Sequence, residues 1–342
     1  MLMLTDIQKR QISDFRTCFI EYPEISEIYR IFDRMRLNKS LGGEQESFLI
    51  TGETGSGKTA LINNYLRKQQ AHSKTSFSIQ PILSTRIPPK VNEQSTMLQL
   101  LKDLNTQSSG RGARNKNDLA LAESVVVQLK RKQTELIIVN EVQELIEFSS
   151  AKERQAIANM FKFISEEAGV SFVLVGMPYS HLLAEEPQWN SRLTWRRELT
   201  YFKLSKNRAH FVRLLKGLSE RMGFELSPEL HKQEVALALF SICRGEFRAL
   251  KHFLEDAMLM SFELKKETVD VEVLTKTLNL KCPQFRTEKN PFEHPESIKI
   301  TELAEPTRYN AFAIKDEEKI ISPRFTDALP LNLLLTKSGL KV

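Results

Sequence analysis

Apolar residues recur along this chain in two rhythms, and the changeover lies near residue 206. Through 1–46 they return every three to four positions, at Phe15, Phe19, Ile20, Ile25, Ile28, Tyr29, Ile31 and Phe32, the period of an amphipathic helix. Pro23 and the Gly42-Gly43 pair punctuate that region. Short apolar runs of strand length follow at 47–51, 76–83, 135–139 and 171–175, and 199–204 can supply a fifth. Helical patterns fall between them at 59–70, 93–104, 118–132 and 151–168. Strands alternating with helices at this spacing predict an α/β domain, a parallel sheet between two layers of helices.

From about 206 only the helical rhythm remains, at 207–223, 228–242, 246–264 and 268–279. That predicts a small all-helical domain appended to the sheet. After Cys282-Pro283 the chain gains prolines at 291, 295, 306, 323 and 330 and loses its periodicity. The expected organisation is a helical segment at 1–46, an α/β domain at 47–205, a helical domain at 206–282 and an extended tail at 283–342. Scattered apolar residues of the tail, such as Leu329, Leu331, Leu333, Leu334 and Leu335, suit a segment that docks on another protein.

Composition narrows the class. A chain of 342 residues can bury a full core. No apolar run approaches the roughly 20 residues that cross a bilayer, and the first residues lack the order of a signal peptide. Cys18, Cys243 and Cys282 are odd in number and without metal-ligand spacing, as free thiols in a reducing cytoplasm would be. The net charge of +6 is a mild bias towards polyanions.

The chemistry is concentrated at 52–59, which read Gly52-Glu53-Thr54-Gly55-Ser56-Gly57-Lys58-Thr59 between a strand and a helix, with Ala60 next. This is the pattern G-x-x-x-x-G-K-[ST] in the context it requires. The three glycines let the backbone curl so that its N–H groups face phosphate oxygens. Lys58 would reach the β- and γ-phosphates of ATP, and the Thr59 hydroxyl would ligate Mg²⁺. An acid is also needed on a neighbouring strand. The run 136–139 is followed by Asn140-Glu141, and Glu141 fits the water-polarising role. Asn140 stands where an aspartate is usual; its amide can still accept from a Mg²⁺-bound water but brings no charge. Gln188-Trp189-Asn190-Ser191-Arg192, followed by Arg196-Arg197, puts positive charge ahead of the fifth strand, and Gly245-Glu246-Phe247-Arg248 opens a helix of the second domain.

Together these features resemble the AAA+ ATPases. Within them, Phe19-Ile20-Glu21-Tyr22-Pro23, the phosphate loop, Val175-Gly176-Met177-Pro178 and 188–192 resemble the TnsC/TniB family of transposition regulators. The compact length is similar to that of the short TnsC proteins of CRISPR-guided transposons. The resemblance, which covers about 15–280, implies ATP and Mg²⁺ as cofactors and assembly on double-stranded DNA as rings or filaments. It also implies a TniQ/TnsD-type targeting protein and a TnsA/TnsB-type transposase as partners. It gives Arg192, or one of Arg196 and Arg197, the task of reaching a neighbouring subunit's nucleotide, and Arg248 that of closing over the nucleotide from the lid. Charge and resemblance together nominate Arg86, Arg111, Arg114, Lys116, Lys152 and Arg154 as contacts to DNA phosphates. Asn140 implies slow hydrolysis, and Met177 stands where many relatives have a polar residue. Two other readings compete: a helicase loader or replication initiator of the same class, and a nucleotide-binding scaffold with little turnover.

Overall fold

The computed structural model describes residues 4–72, 79–104, 118–286 and 289–334. The chain begins with two helices, α1 (Asp6–Thr17) and α2 (Pro23–Ser40). Thr5 and Gln8 form a capping box at the first, and Pro23 sits at the first turn of the second. In the first turn a missing backbone N–H costs nothing. Five parallel strands follow: β1 (Ser47–Gly52), β2 (Ile82–Arg86), β3 (Leu136–Asn140), β4 (Ser171–Gly176) and β5 (Leu193–Leu199). Their order is β2-β3-β4-β1-β5.

Side chains alternate across this sheet, as the two-residue period demands. Phe48 and Ile50 of β1, Leu136 and Ile138 of β3, and Val173 and Val175 of β4 pack on α2 and on α3 (Lys58–His72). Leu49, Ile137, Val139, Phe172 and Leu174 point the other way. There they meet α4 (Glu93–Asp103), α5 (Asp118–Arg131) and α7 (Ala151–Ala168), the last preceded by the short α6 (Glu144–Phe148). Ser150 and Glu153 cap the start of α7, and Gly169 ends it at φ +60°, a left-handed turn that glycine enters freely. The register sets Thr51 beside Gly176 and Val175 beside Asn140, so β1, β3 and β4 end at one edge.

After α8 (Pro187–Asn190) and β5, four helices form a second core: α9 (Leu204–Arg221), α10 (Gln233–Cys243), α11 (Phe247–Glu263) and α12 (Val271–Lys281). The helix α1 belongs to this bundle, through buried Ile12 and Phe15 and an ion pair between Arg16 and Glu255. The N-terminal segment is therefore divided, α1 on the lid and α2 on the sheet.

Three expectations are corrected. The second strand runs over Ile82–Arg86 rather than 76–83, of which 76–78 lie outside the described residues. As an edge strand it carries the polar Ser84 and the exposed Arg86 without burying either on both faces. The fifth strand is Leu193–Leu199, upstream of 199–204. It is the other edge, so Arg196, Arg197 and Glu198 are exposed within it, which breaks the apolar run that marks a buried strand. Arg196 and Arg197 thus lie inside the strand, and only Arg192 precedes it.

Thirdly, the stretch after 283 is not wholly an extended tail. Phe292, Ile298 and Ile300 are buried in the lid core, and burying each such side chain contributes about 1.5–3 kcal/mol. Beyond them β6 (Leu303–Glu305) pairs with β9 (Arg324–Phe325), and β7 (Arg308–Tyr309) with β8 (Ile320–Ile321). A short helix, α13 (Leu331–Leu334), follows, while Leu335 lies outside the described residues.

Candidate nucleotide site

The loop from Gly52 to Thr59 leaves β1 at the edge where β3 and β4 also end. Gly55 and Gly57 hold φ of +81° and +102°, which side chains with a Cβ rarely adopt. Space is also short: a Cβ on Gly55 would collide with the Glu246 carboxylate, and one on Gly52 with the Leu199 carbonyl oxygen. Thr54, Gly55, Gly57, Lys58, Thr59 and Ala60, together with Glu141, Met177 and Arg248, line a cleft of ≈ 1090 Å³. A drug-sized ligand occupies several hundred Å³, so a nucleotide fits.

The cradle also suits an anion through its lysine. Lys58 Nζ donates to the loop's own carbonyls, to Gly52 O at 2.6 Å and Glu53 O at 2.9 Å. Phosphate oxygens would be stronger acceptors for the same ammonium. Burial pushes Lys58 down to about 8, with Arg248 acting in the same direction and Glu141 and Glu53 against it.

That depressed value gives a pH dependence with a definite sign. A bound phosphate raises the Lys58 pKa, so binding takes up a proton wherever the free lysine is neutral. ATP affinity should be flat below about pH 8 and fall above it, by at most about tenfold per pH unit. Titrations of a fluorescent ATP analogue from pH 7 to 9.5 measure this directly. Affinity that stays level across the range would mean Lys58 keeps its charge throughout.

Glu141 sits at φ +59°, a left-handed conformation that costs a non-glycine residue on the order of 1–3 kcal/mol. Its surroundings hold it there. The next residue, Val142, donates its N–H to Val175 O at 3.1 Å. Gln143 Nε2 donates to Glu141 Oε2 at 2.6 Å, while Gln143 Oε1 accepts from the Met177 N–H at 3.2 Å. Gln143 therefore ties the acid of β3 to the turn after β4. Sequence reasoning missed it, because a glutamine two places after an acid carries no motif. Asn140 Nδ2 donates to Thr85 O at 3.0 Å, which fixes the amide on β2 and leaves Oδ1 as its free acceptor. Thr59 is exposed, so its hydroxyl is open to a metal. Met177 Sδ accepts from Thr54 Oγ1 at 3.5 Å, a weak contact.

The lid touches the loop directly. Arg248, in the first turn of α11, donates its backbone N–H to Gly55 O at 3.1 Å, and its exposed guanidinium lines the cleft. Tyr201 Oη, another residue the sequence did not single out, donates to Thr54 O at 2.6 Å.

Arg192 lies elsewhere. Leu193 pairs with Ser47 at the start of β1, five residues before Gly52, so Arg192 is roughly 16 Å from its own phosphate loop at 3.3 Å per residue. It is ion-paired with Glu166 at 2.6 Å. Arg196 Nη2 donates to Asn190 Oδ1 at 2.7 Å, and Arg197 Nη1 to the Arg196 carbonyl at 2.9 Å. None of the three joins the cleft of its own chain.

The residues nominated for DNA scatter in their accessibility. Arg111, Arg114 and Lys116 lie outside the described residues. Arg86 and Lys152 are exposed. Arg154 is engaged within the chain, paired with Glu186 at 2.5 Å and donating to Ser149 O at 2.9 Å, which makes it a weaker candidate. Among the described residues no helix is long and apolar enough to cross a membrane.

A five-stranded parallel sheet in this order, a phosphate loop after the first strand, an acid after the third and a helical lid define a P-loop ATPase fold of the AAA+ class. The chain belongs to the TniB family: the profile described as Bacterial TniB protein matches residues 14–203, more than half of its length. Solved structures agree on the fold. The ORC2 protein of Aeropyrum pernix in its ADPNP-ADP complexes superposes with a TM-score of 0.57 at 17% identity, over 75% of this chain and 66% of that one. The ORC1 protein of the same organism, in complex with DNA, gives 0.57 at 16% identity over 78% and 67%. Cdc6p of Pyrobaculum aerophilum gives 0.57 at 11% identity over 78% and 70%. The chain spans about two thirds of the length of these proteins. No sequence among curated proteins matches it.

Proposed function

We propose that this protein is an ATP-dependent regulator of transposition that assembles on double-stranded DNA and links a targeting protein to a transposase. The observation that carries the reading is the cleft of a TniB-family chain in which Lys58, Thr59, Glu141 and Arg248 converge. There Lys58 and the loop N–H groups would hold the phosphates of ATP, and Thr59 with Asn140 Oδ1 would hold hydrated Mg²⁺. When bound, the metal neutralises charge that develops on the phosphates. Glu141 would orient and polarise the attacking water, and Arg248 would close over the nucleotide from the lid. Arg192, remote from its own loop, would serve a neighbouring copy's nucleotide, which makes the complete site a property of an oligomer.

The Asn140 side chain supplies no negative charge, so turnover should be slow and the assemblies long-lived. The test is electron microscopy of the protein with duplex DNA, Mg²⁺ and ATP, alongside phosphate release with and without DNA. Rings or filaments that need both ATP and duplex support the reading. Their absence, with the nucleotide still bound, would favour a nucleotide-binding scaffold. The likeness to ORC and Cdc6 folds favours a second reading, a replication initiator or helicase loader. Co-purification with a TnsA/TnsB-type transposase and a TniQ/TnsD-type protein, rather than with a helicase, separates the two.

Contact with DNA should be electrostatic and tolerant of sequence, through exposed Arg86 and Lys152 and through Arg111, Arg114 and Lys116. Replacing two or three of them with glutamine should weaken binding to all duplexes alike. It should also reduce the slope of log affinity against log salt by about 0.9 for each phosphate no longer neutralised. Weakening confined to one DNA sequence would instead indicate base readout.

A further inference from the structure

A carboxylate is an unexpected neighbour for a phosphate. Glu53 is the second residue of the phosphate loop and is only 2% exposed, yet its side chain does not line the cleft that Thr54, Gly55 and Gly57 line. It lies close enough to Lys58 to favour that ammonium's charged form, against the burial that lowers it. What keeps it out of the cleft comes from the far end of the chain. The Thr307 backbone N–H donates to Glu53 Oε1, and the Thr307 hydroxyl donates to Glu53 Oε2 at 2.6 Å. These two donors thus serve both oxygens of one carboxylate, and Thr307 is itself 4% exposed.

The segment that carries Thr307 is anchored on each side. Before it, buried Glu302 accepts from the backbone N–H of Ser205 at 2.9 Å and from the Ser205 hydroxyl, at the start of α9 in the lid. After it, the Tyr309 ring stacks on Tyr179 of the α/β domain, with centroids 5.7 Å apart. The stretch from Glu302 to Tyr309 therefore spans from lid to phosphate loop.

We propose that this stretch is a brace that holds the Glu53 carboxylate away from the phosphate site, so that the C-terminal segment gates nucleotide binding. It rests on the reading of the cleft as an ATP site. Released from Thr307, the carboxylate is free to pair with the Lys58 ammonium and to set a negative charge against the incoming phosphates. Thr307 is then a positioning residue, and a partner that displaced the segment would close the site.

Charge makes the proposal testable, because a purely structural contact would not be rescued by neutralising its acceptor. The measurement is affinity for a fluorescent ATP analogue with Mg²⁺, on the full chain, with thermal unfolding of each variant. Thr307→Val keeps the shape and the backbone donor but loses the hydroxyl, and should weaken binding by roughly tenfold or more, as for a hydrogen bond to a charged group. Thr307→Ser keeps the hydroxyl and should bind as the parent does. In the Glu53→Gln background, where no carboxylate remains to be released, adding Thr307→Val should change affinity by less than about threefold. Parental affinity in Thr307→Val would overturn the brace. So would a folded double variant that binds much more weakly than Glu53→Gln alone, since the loss would then be structural. A parent protein that binds no analogue would instead sink the ATP site itself, and the brace with it.

Discussion

Replacing Lys58 with alanine should abolish ATP binding and, with it, any ATP-dependent assembly on DNA. The ammonium is the side-chain cation inside the loop, held by the Gly52 and Glu53 carbonyls until a stronger acceptor arrives. At the effective dielectric of a partly buried site, one charge about 4 Å from another is worth about 4 kcal/mol. Each 1.4 kcal/mol is about tenfold, so affinity should fall by about three orders of magnitude. The substitution also removes the opposite charge that Glu53 and Glu141 face. Equilibrium binding of a fluorescent ATP analogue, with gel-shift of a duplex in ATP, measures both consequences. A variant that still binds DNA in an ATP-dependent way would break the link between this loop and assembly.

The second large effect concerns turnover. Glu141→Gln keeps the shape and the left-handed backbone but removes the base, and loss of a positioned base typically costs about 10²- to 10⁴-fold. Nucleotide binding should remain, and DNA assemblies should last longer. Asn140→Asp should act in the opposite direction, with a cost. A carboxylate there raises the negative field around Mg²⁺, and ~1.4 kcal/mol of transition-state stabilisation means a roughly tenfold faster step. The aspartate also loses the amide that donates to Thr85 O at 3.0 Å, and an oxygen turned on a carbonyl costs about 1–3 kcal/mol. The variant should hydrolyse faster while melting lower without nucleotide, and Mg²⁺ with ATP should recover much of that difference. Equal steady-state hydrolysis by the parent and Asn140→Asp, at saturating Mg²⁺ and ATP, would mean that the amide oxygen serves as well as a carboxylate.

Local pattern is most informative in this chain where the chemistry is local. Gly52 to Thr59, the acid that follows the third strand and the run of helices from Leu204 to Lys281 are contiguous signals, and each survives without tertiary context. The edge strands are harder to read. Arg196, Arg197 and Glu198 interrupt β5 because an edge strand can leave side chains in water, and no apolar run marks it. Gln143 becomes visible only once β3 and β4 end side by side, because its amide bridges Glu141 and the backbone of Met177. Thr307 is the extreme case, 254 residues from the carboxylate it holds. Nothing in a proline-dotted stretch suggests that it completes a loop near the other end of the chain.

The distance between Glu53 and Thr307 also sets an order of events during synthesis. Chains emerge from the ribosome N-terminus first, and domains fold as they appear. The phosphate loop, its strand and α3 are made early, while the donor that steadies Glu53 arrives only when residue 307 has cleared the exit tunnel. A nascent chain therefore carries a folded sheet with an unbraced loop. It should acquire full ATP affinity late and abruptly, which would keep half-made copies out of any ATP-dependent assembly.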